Sequence, residues 1–305
     1  MLMFTKLKVF ILIGIFFMLT ACSPKQYSFE IDAPPKYSSE YVFKSMSVKN
    51  FKSDKKQYLS NIERILKSGI AKEGYIKIVE QGEEAVLSGV LYIGTVHQEN
   101  SSSSYDCEKK IDGKKVKSTC YGYTYQKKHL LKIDYSLTRI QDNSVIFGES
   151  ISEEFEDSWY SSQSASKARM SAISDEEIIN NSLQKIATKI IQAVSPHKEK
   201  VSRELQEGDS DSVKLGITYI ENGRVEQALA IWDQCIGQAE STKSVAASYY
   251  NIGVIKESQS NYRDAFNLYS KANRLLPTEE LYIKAMTRVE TLNKQNSKVR
   301  EWKSQ

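Results

Sequence analysis

Histidine is scarce in this chain of 305 residues: there are three, His97, His129 and His197. Scattered in this way, they offer no general base with a partner close in sequence. The strings G-x-S-x-G, H-E-x-x-H and the phosphate-binding G-x-x-x-x-G-K are also missing, which removes the usual signatures of three large enzyme groups. S-x-x-K occurs four times, starting at Ser53, Ser164, Ser182 and Ser195. With no K-T-G or S-D-N partner, that repetition is a composition effect of a serine- and lysine-rich chain. No catalytic residue, cofactor or enzyme activity is therefore expected. Charge of one sign is not in large excess: Lys and Arg number 42 against 38 Asp and Glu, a net +4. That field is too weak to argue for nucleic acid. Cysteine is rare, at four residues, and no C-x-x-C pair argues for structural zinc. No apolar run is long enough for a spanning helix. The best, Val9 to Ala21, falls short of a hydrocarbon core of about 30 Å.

That apolar run carries information of another kind. Lys6 and Lys8 precede it, Val9 to Leu19 form a short apolar region, and Leu19-Thr20-Ala21-Cys22 closes it. This is the layout of a secretory signal. The last four residues resemble the lipobox of bacterial lipoproteins. The resemblance implies cleavage before Cys22, lipidation of Cys22 and membrane attachment through its acyl chains. Ser23, rather than Asp, after the cysteine implies the outer membrane and its periplasmic face. Residues 1–21 are then signal, and 22–40, with Pro34-Pro35, form a tether.

An exported chain meets an oxidising compartment, so Cys107 and Cys120, flanking a polar stretch, are the expected disulfide. The alternative is a metal site of these two with His97 and His129. Cys235 is expected to be buried and inert.

The pattern from Tyr41 to Pro196 alternates strand and helix. Leu59, Ile62, Ile65, Leu66 and Ile70 recur at helical spacing, and Gly74 follows as a helix stop. Strands are expected at 75–80 and 85–96. A polar loop should cover 97–119, then a hairpin over 121–155 turns at Asp142-Asn143, with a polar, mobile stretch over 158–174. Ile178, Ile179, Leu183, Ile186, Ile190 and Ile191 mark a second helix, stopped at Ser195-Pro196. The expectation is an α+β domain at 41–196, a small antiparallel sheet with two covering helices. Gly74 to Glu80, Ala85 to Val90 and Leu137 to Glu149 are similar to strings of the family that includes the curli-secretion channel lipoprotein and the activators of penicillin-binding proteins. The resemblance spans about residues 42–196. It departs in its insertions, which lack the nine to eleven alternating residues of a transmembrane strand.

From Asp209 the chain repeats with an offset of 37 residues: Gly216 with Gly253, Ala228 with Ala265, Trp232 with Tyr269, Cys235 with Ala272. These positions resemble tetratricopeptide (TPR) repeats. The resemblance implies an all-α helical-repeat domain over 205–305, two repeats and a capping helix, that binds another protein in its groove. Asn222, Tyr250, Asn251 and Lys256 are the candidate groove residues, against the alternative that they only pack or face solvent. Tyr121, Tyr123 and Tyr125 alternate on one strand face, either as an aromatic docking stripe or as cross-strand packing. Together these features lead to a membrane-anchored, protein-binding adaptor of the cell envelope or a secretion apparatus. An oligomeric structural ring, a homo-oligomer of the outer membrane, is the alternative.

Overall fold

A computed structural model describes residues 25–37, 41–238 and 240–304. The signal segment and Cys22 lie outside the described residues. The chain divides into two compact units, one of residues up to 32 with 198–297, the other of 33–197 with 298–305.

The second of these is an α+β layer. Its sheet has seven strands: β2 (Ser45–Val48), β3 (Lys52–Ser53), β4 (Lys77–Ile78), β5 (Ala85–Ile93), β6 (His97–Ile111), β7 (Lys114–Arg139) and β8 (Val145–Ser161). The expected antiparallel sheet is in fact mixed, because β2 pairs parallel with both β4 and β5, and β3 parallel with β5. Helix α1 (Leu59–Glu73) is the crossover that makes parallel pairing possible. It ends on Gly74, whose φ of 79° is the left-handed C-cap that glycine reaches without steric cost. Helix α3 (Asp175–Val194) begins where the Ser174 hydroxyl accepts from the Glu177 amide, with three acidic residues in the first turn to favour the helix dipole. The faces read from the sequence are the buried ones: Ile62, Leu66 and Ile70 of α1, and Ile178, Leu183, Ile186 and Ile190 of α3. They close over Leu87, Leu91, Leu131, Ile133 and Leu137, and Trp302 joins this core edge-on to Phe43 at 5.1 Å.

The loop expected at 97–119 is instead strand. β6 and the first half of β7 form a long antiparallel hairpin that turns at Asp112-Gly113, with φ of 50° and 78°. Two consecutive positive φ values are what a tight two-residue hairpin turn demands, and Asp-Gly supplies them. β8 then pairs along the second half of β7, from Tyr123↔Ser161 to Thr138↔Val145. The mobile stretch expected at 158–174 is likewise ordered: it finishes β8 and forms α2 (Ala165–Met170).

The other unit holds α4 (Asp211–Glu221), α5 (Val225–Gly237), α6 (Thr242–Ser258), α7 (Tyr262–Leu275) and the part of α8 (Glu280–Ser304) that ends at Ser297. The 37-residue repeat is visible as packing. Gly216 lies beneath the Trp232 ring and Gly253 beneath Tyr269, so close that an added Cβ would stand 2.2 Å and 2.6 Å from ring atoms. Ala228, Cys235, Ala265 and Ala272 are buried at the helix crossings. The unit is not all-α, however. Gln26–Ala33, expected to be tether, is strand β1 and pairs with β9 (His197–Glu204). Contacts of 25 with 205, 28 with 202 and 32 with 198 make the pair antiparallel. Its apolar side chains, Ile31 with Tyr27, Phe29 and Val201, join the helical core. That burial is why a segment that looks like linker is ordered.

Candidate functional site

Of the four groove candidates, Asn251 alone grips a peptide segment, and the segment belongs to the same chain. Asn251 is completely buried on α6. Its Oδ1 accepts from the Gln206 amide at 2.8 Å, and its Nδ2 donates to the Gln206 carbonyl at 2.8 Å. This is a two-point grip on a backbone, indifferent to the side chain it holds. The extended segment is anchored on both sides. Leu205 is buried in the helical core before it, and beyond it the Ser244 hydroxyl accepts from the amides of Asp209 and Ser210 at 3.1 and 2.9 Å.

Six residues further along α6, Glu257 is fully buried and carries the charge of this site. Arg203 of β9 donates to Oε1 at 2.6 Å, Arg288 of α8 donates to both oxygens at 3.0 and 2.8 Å, and the Tyr269 hydroxyl donates at 2.7 Å. Burial by itself pushes the carboxyl up, but the hydrogen bonds and charge of Arg288, with Arg203, outweigh it and hold Glu257 below the usual range. This centre was not foreseen. A charged residue beside a repeat motif looks like a solvated position, and its partners lie 54 and 31 residues away.

The remaining candidates have other roles. Tyr250 packs between Tyr269 and Tyr282, each at 5.2 Å, and burial pushes its hydroxyl up to about 12. Asn222 is exposed past the end of α4 and donates to the Thr218 carbonyl at 2.7 Å. Lys256 is half-buried, and its carbonyl helps end α6. A cleft of about 590 Å³ lies open on this unit between α5, α6 and α7, lined by Ile236, Glu240, Thr242, Val245, Tyr249, Lys271, Arg274 and Leu275. Lys271 stands 5.3 Å over the Tyr249 ring. The cleft therefore pairs apolar walls with two cations and one carboxylate, that of Glu240.

On the sheet unit the tyrosine stripe is split. Tyr121 is exposed, Tyr123 half-buried, and Tyr125 buried against Trp159 at 6.3 Å, beneath Arg169 of α2 at 5.7 Å. A three-residue docking face therefore does not exist, since α2 closes its inner end. Cys107 and Cys120 are joined, with Cα atoms 5.8 Å apart, and that leaves no thiolate for a metal site with His97 and His129. Among the described residues no cluster of three or more His, Cys, Asp or Glu side chains could hold a metal. Cys235 is buried and unpaired. In the S-x-x-K string at Ser164, the serine hydroxyl accepts from the Lys167 backbone amide, so the pair forms the N-cap of α2. No described helix is long and apolar enough to cross a membrane.

No protein-family model matches the chain, and no curated protein sequence does, so both resemblances rest on the residues quoted above. Solved structures give distant likenesses that include bacterial lipoproteins. The PelC dodecamer of Paraburkholderia phytofirmans is 11% identical, covering 55% of this chain and 98% of that one, with a TM-score of 0.30. A minor lipoprotein of Acinetobacter baumannii is 13% identical over 52% of this chain and 100% of its own, with a TM-score of 0.28. The rare lipoprotein B of Shewanella oneidensis is 11% identical, covering 48% and 92%, with a TM-score of 0.25. At these scores no fold or function is transferred from them.

Proposed function

We propose that this chain is a lipid-anchored, non-enzymatic protein of the bacterial envelope, held at Cys22 in the outer membrane and facing the periplasm. There it acts as a protein-binding adaptor in envelope or secretion-apparatus assembly. The observation that carries the reading is the Asn251 grip: a TPR-like helical array that holds an extended segment by its backbone is built for polypeptide rather than for chemistry. Because the chain's own Gln206 fills that grip, the partner is assigned to the open cleft at Tyr249. Its apolar walls and its two cations, Lys271 and Arg274, which outnumber the Glu240 carboxylate, suit an amphipathic acidic segment.

A photo-crosslinking residue in place of Tyr249, used in intact cells, tests this. The expected product is one defined envelope protein, lost when Lys271→Glu and Arg274→Glu are combined. Crosslinks that survive the charge reversal, or none at all, would sink the adaptor reading. Fractionation of Cys22→Ser tests the anchor, with release from the membrane fraction as the expected result. The ring is kept as a second reading on one observation: the outer edge of β6 runs for 15 residues with no strand partner among the described residues. Sedimentation of the acyl-free protein separates the two, a monomer at micromolar concentration excluding the ring.

A further inference from the structure

Beyond Tyr123 the sheet narrows to two strands, residues 105–122, with solvent on both faces. Such a ribbon is marginal in water without a staple, and the Cys107–Cys120 bond supplies one. Its two faces differ. Residues directly opposite each other share a face, so the pairs Tyr105↔Cys120, Lys109↔Val116 and Ile111↔Lys114 lie on one side. Tyr160, opposite Thr124, is on that side too. Its ring lies over Gly122, where an added Cβ would stand 2.7 Å from a ring carbon, and its hydroxyl bonds Tyr105. The result is an apolar stripe of Ile111, Val116, the disulfide, Tyr105 and Tyr160, whose four large side chains are 42% to 58% exposed. Over the ribbon, residues 105–122, five lysines stand against Asp106, Glu108 and Asp112, a net charge of +2, and Lys115 pairs with Glu108 at 2.9 Å.

We propose that this stapled ribbon is a contact for the surface of an anionic phospholipid bilayer. Its lysines meet headgroup phosphates, and Ile111 and Val116 enter the boundary with the acyl chains. The two apolar side chains nearest the turn, Ile111 and Val116, are aliphatic, which suits acyl chains better than a glycan's flat faces. Lys109 and Lys114, on the apolar side, have stems long enough to lie along that boundary with their ammonium groups in the headgroups. The same two lysines interrupt the stripe, so the ribbon rests on a bilayer and does not span it.

The test uses the chain from Ser23, which carries every described residue and no acyl group, so its outcome is independent of whether Cys22 is lipidated. Sedimentation with vesicles of phosphatidylcholine containing 30% phosphatidylglycerol should show binding that weakens steeply with salt and is absent from phosphatidylcholine alone. Combining Lys109→Gln with Lys114→Gln should weaken it about thirty-fold, since each basic residue near a charged surface contributes about fivefold. Ile111→Ser with Val116→Ser should weaken it at least about tenfold. All four positions are exposed, and an unchanged thermal midpoint verifies the fold. Equal sedimentation with the two vesicle types overturns the proposal. So does full binding by the Ile111→Ser, Val116→Ser variant combined with equal affinity for polyglutamate, which would mark a charge-only site for an acidic macromolecule.

Discussion

Replacing Asn251 with alanine removes both hydrogen bonds that hold Gln206 and leaves the amide and carbonyl of that residue without partners. A buried group deprived of its partner costs about 1–3 kcal/mol. Gln206 is half-buried, so water satisfies part of the loss, and about 2–4 kcal/mol is expected for the pair. The loss falls on one segment. Opening of residues 204–207 should become easier by roughly thirty-fold to several-hundred-fold, at about 1.4 kcal/mol per factor of ten. Hydrogen exchange at the Gln206 amide reads this directly. Asn251→Asp keeps the acceptor and loses the donor, so it should show about half the effect. If the Gln206 amide exchanges within threefold of the parent rate in a folded Asn251→Ala protein, the grip is incidental, and the argument that this array is built to hold polypeptide fails with it.

Removing the carboxylate in Glu257→Ala strands Arg203 and Arg288 around a buried site and should cost about 3–5 kcal/mol in urea unfolding. Because Glu257 titrates below its unfolded value, its contribution is complete above the ordinary glutamate range near pH 4.5. It is lost as pH falls through the lower folded value, so unfolding followed from pH 6 to pH 3 should show the parent losing stability that Glu257→Gln lacks throughout. Gly253→Ala forces the Tyr269 ring from its seat and should cost about 1–3 kcal/mol; Gly216→Ala should do the same at Trp232, with a red shift of tryptophan emission. Reducing the Cys107–Cys120 bond should release about 3 kcal/mol of ribbon stability, seen as faster exchange over 105–122 with the main unfolding midpoint unchanged, because the ribbon lies outside the core.

Wherever burial follows a regular period, the chain could be read without coordinates. The faces of α1 and α3 were legible because one side of each helix must be apolar, and the 37-residue repeat because Gly216 and Gly253 must lie under rings. The ribbon was missed although Asp112-Gly113 is a strong turn signal. Its strands are exposed on both faces, so the alternation of Tyr105, Cys107 and Ile111 is broken by lysine, and serine and lysine there look like loop. Likewise β1 and β9 look like linker until each supplies the other's backbone partners.

By itself, then, the sequence determined local things: the apolar helix faces, the small residues under rings, and a cysteine pair with no metal spacing. Tertiary structure alone decided what Asn251 holds, why Glu257 can be buried as a carboxylate, and that α2 closes over Tyr125 while Tyr121 stays exposed. The physical reason is distance along the chain. A helix face or turn is set by neighbours a few residues away, whereas Asn251 meets Gln206 across 45 residues and Glu257 meets Arg203 across 54. Such contacts exist only once the helices and the β1–β9 pair of that unit are packed together, and no local pattern encodes them.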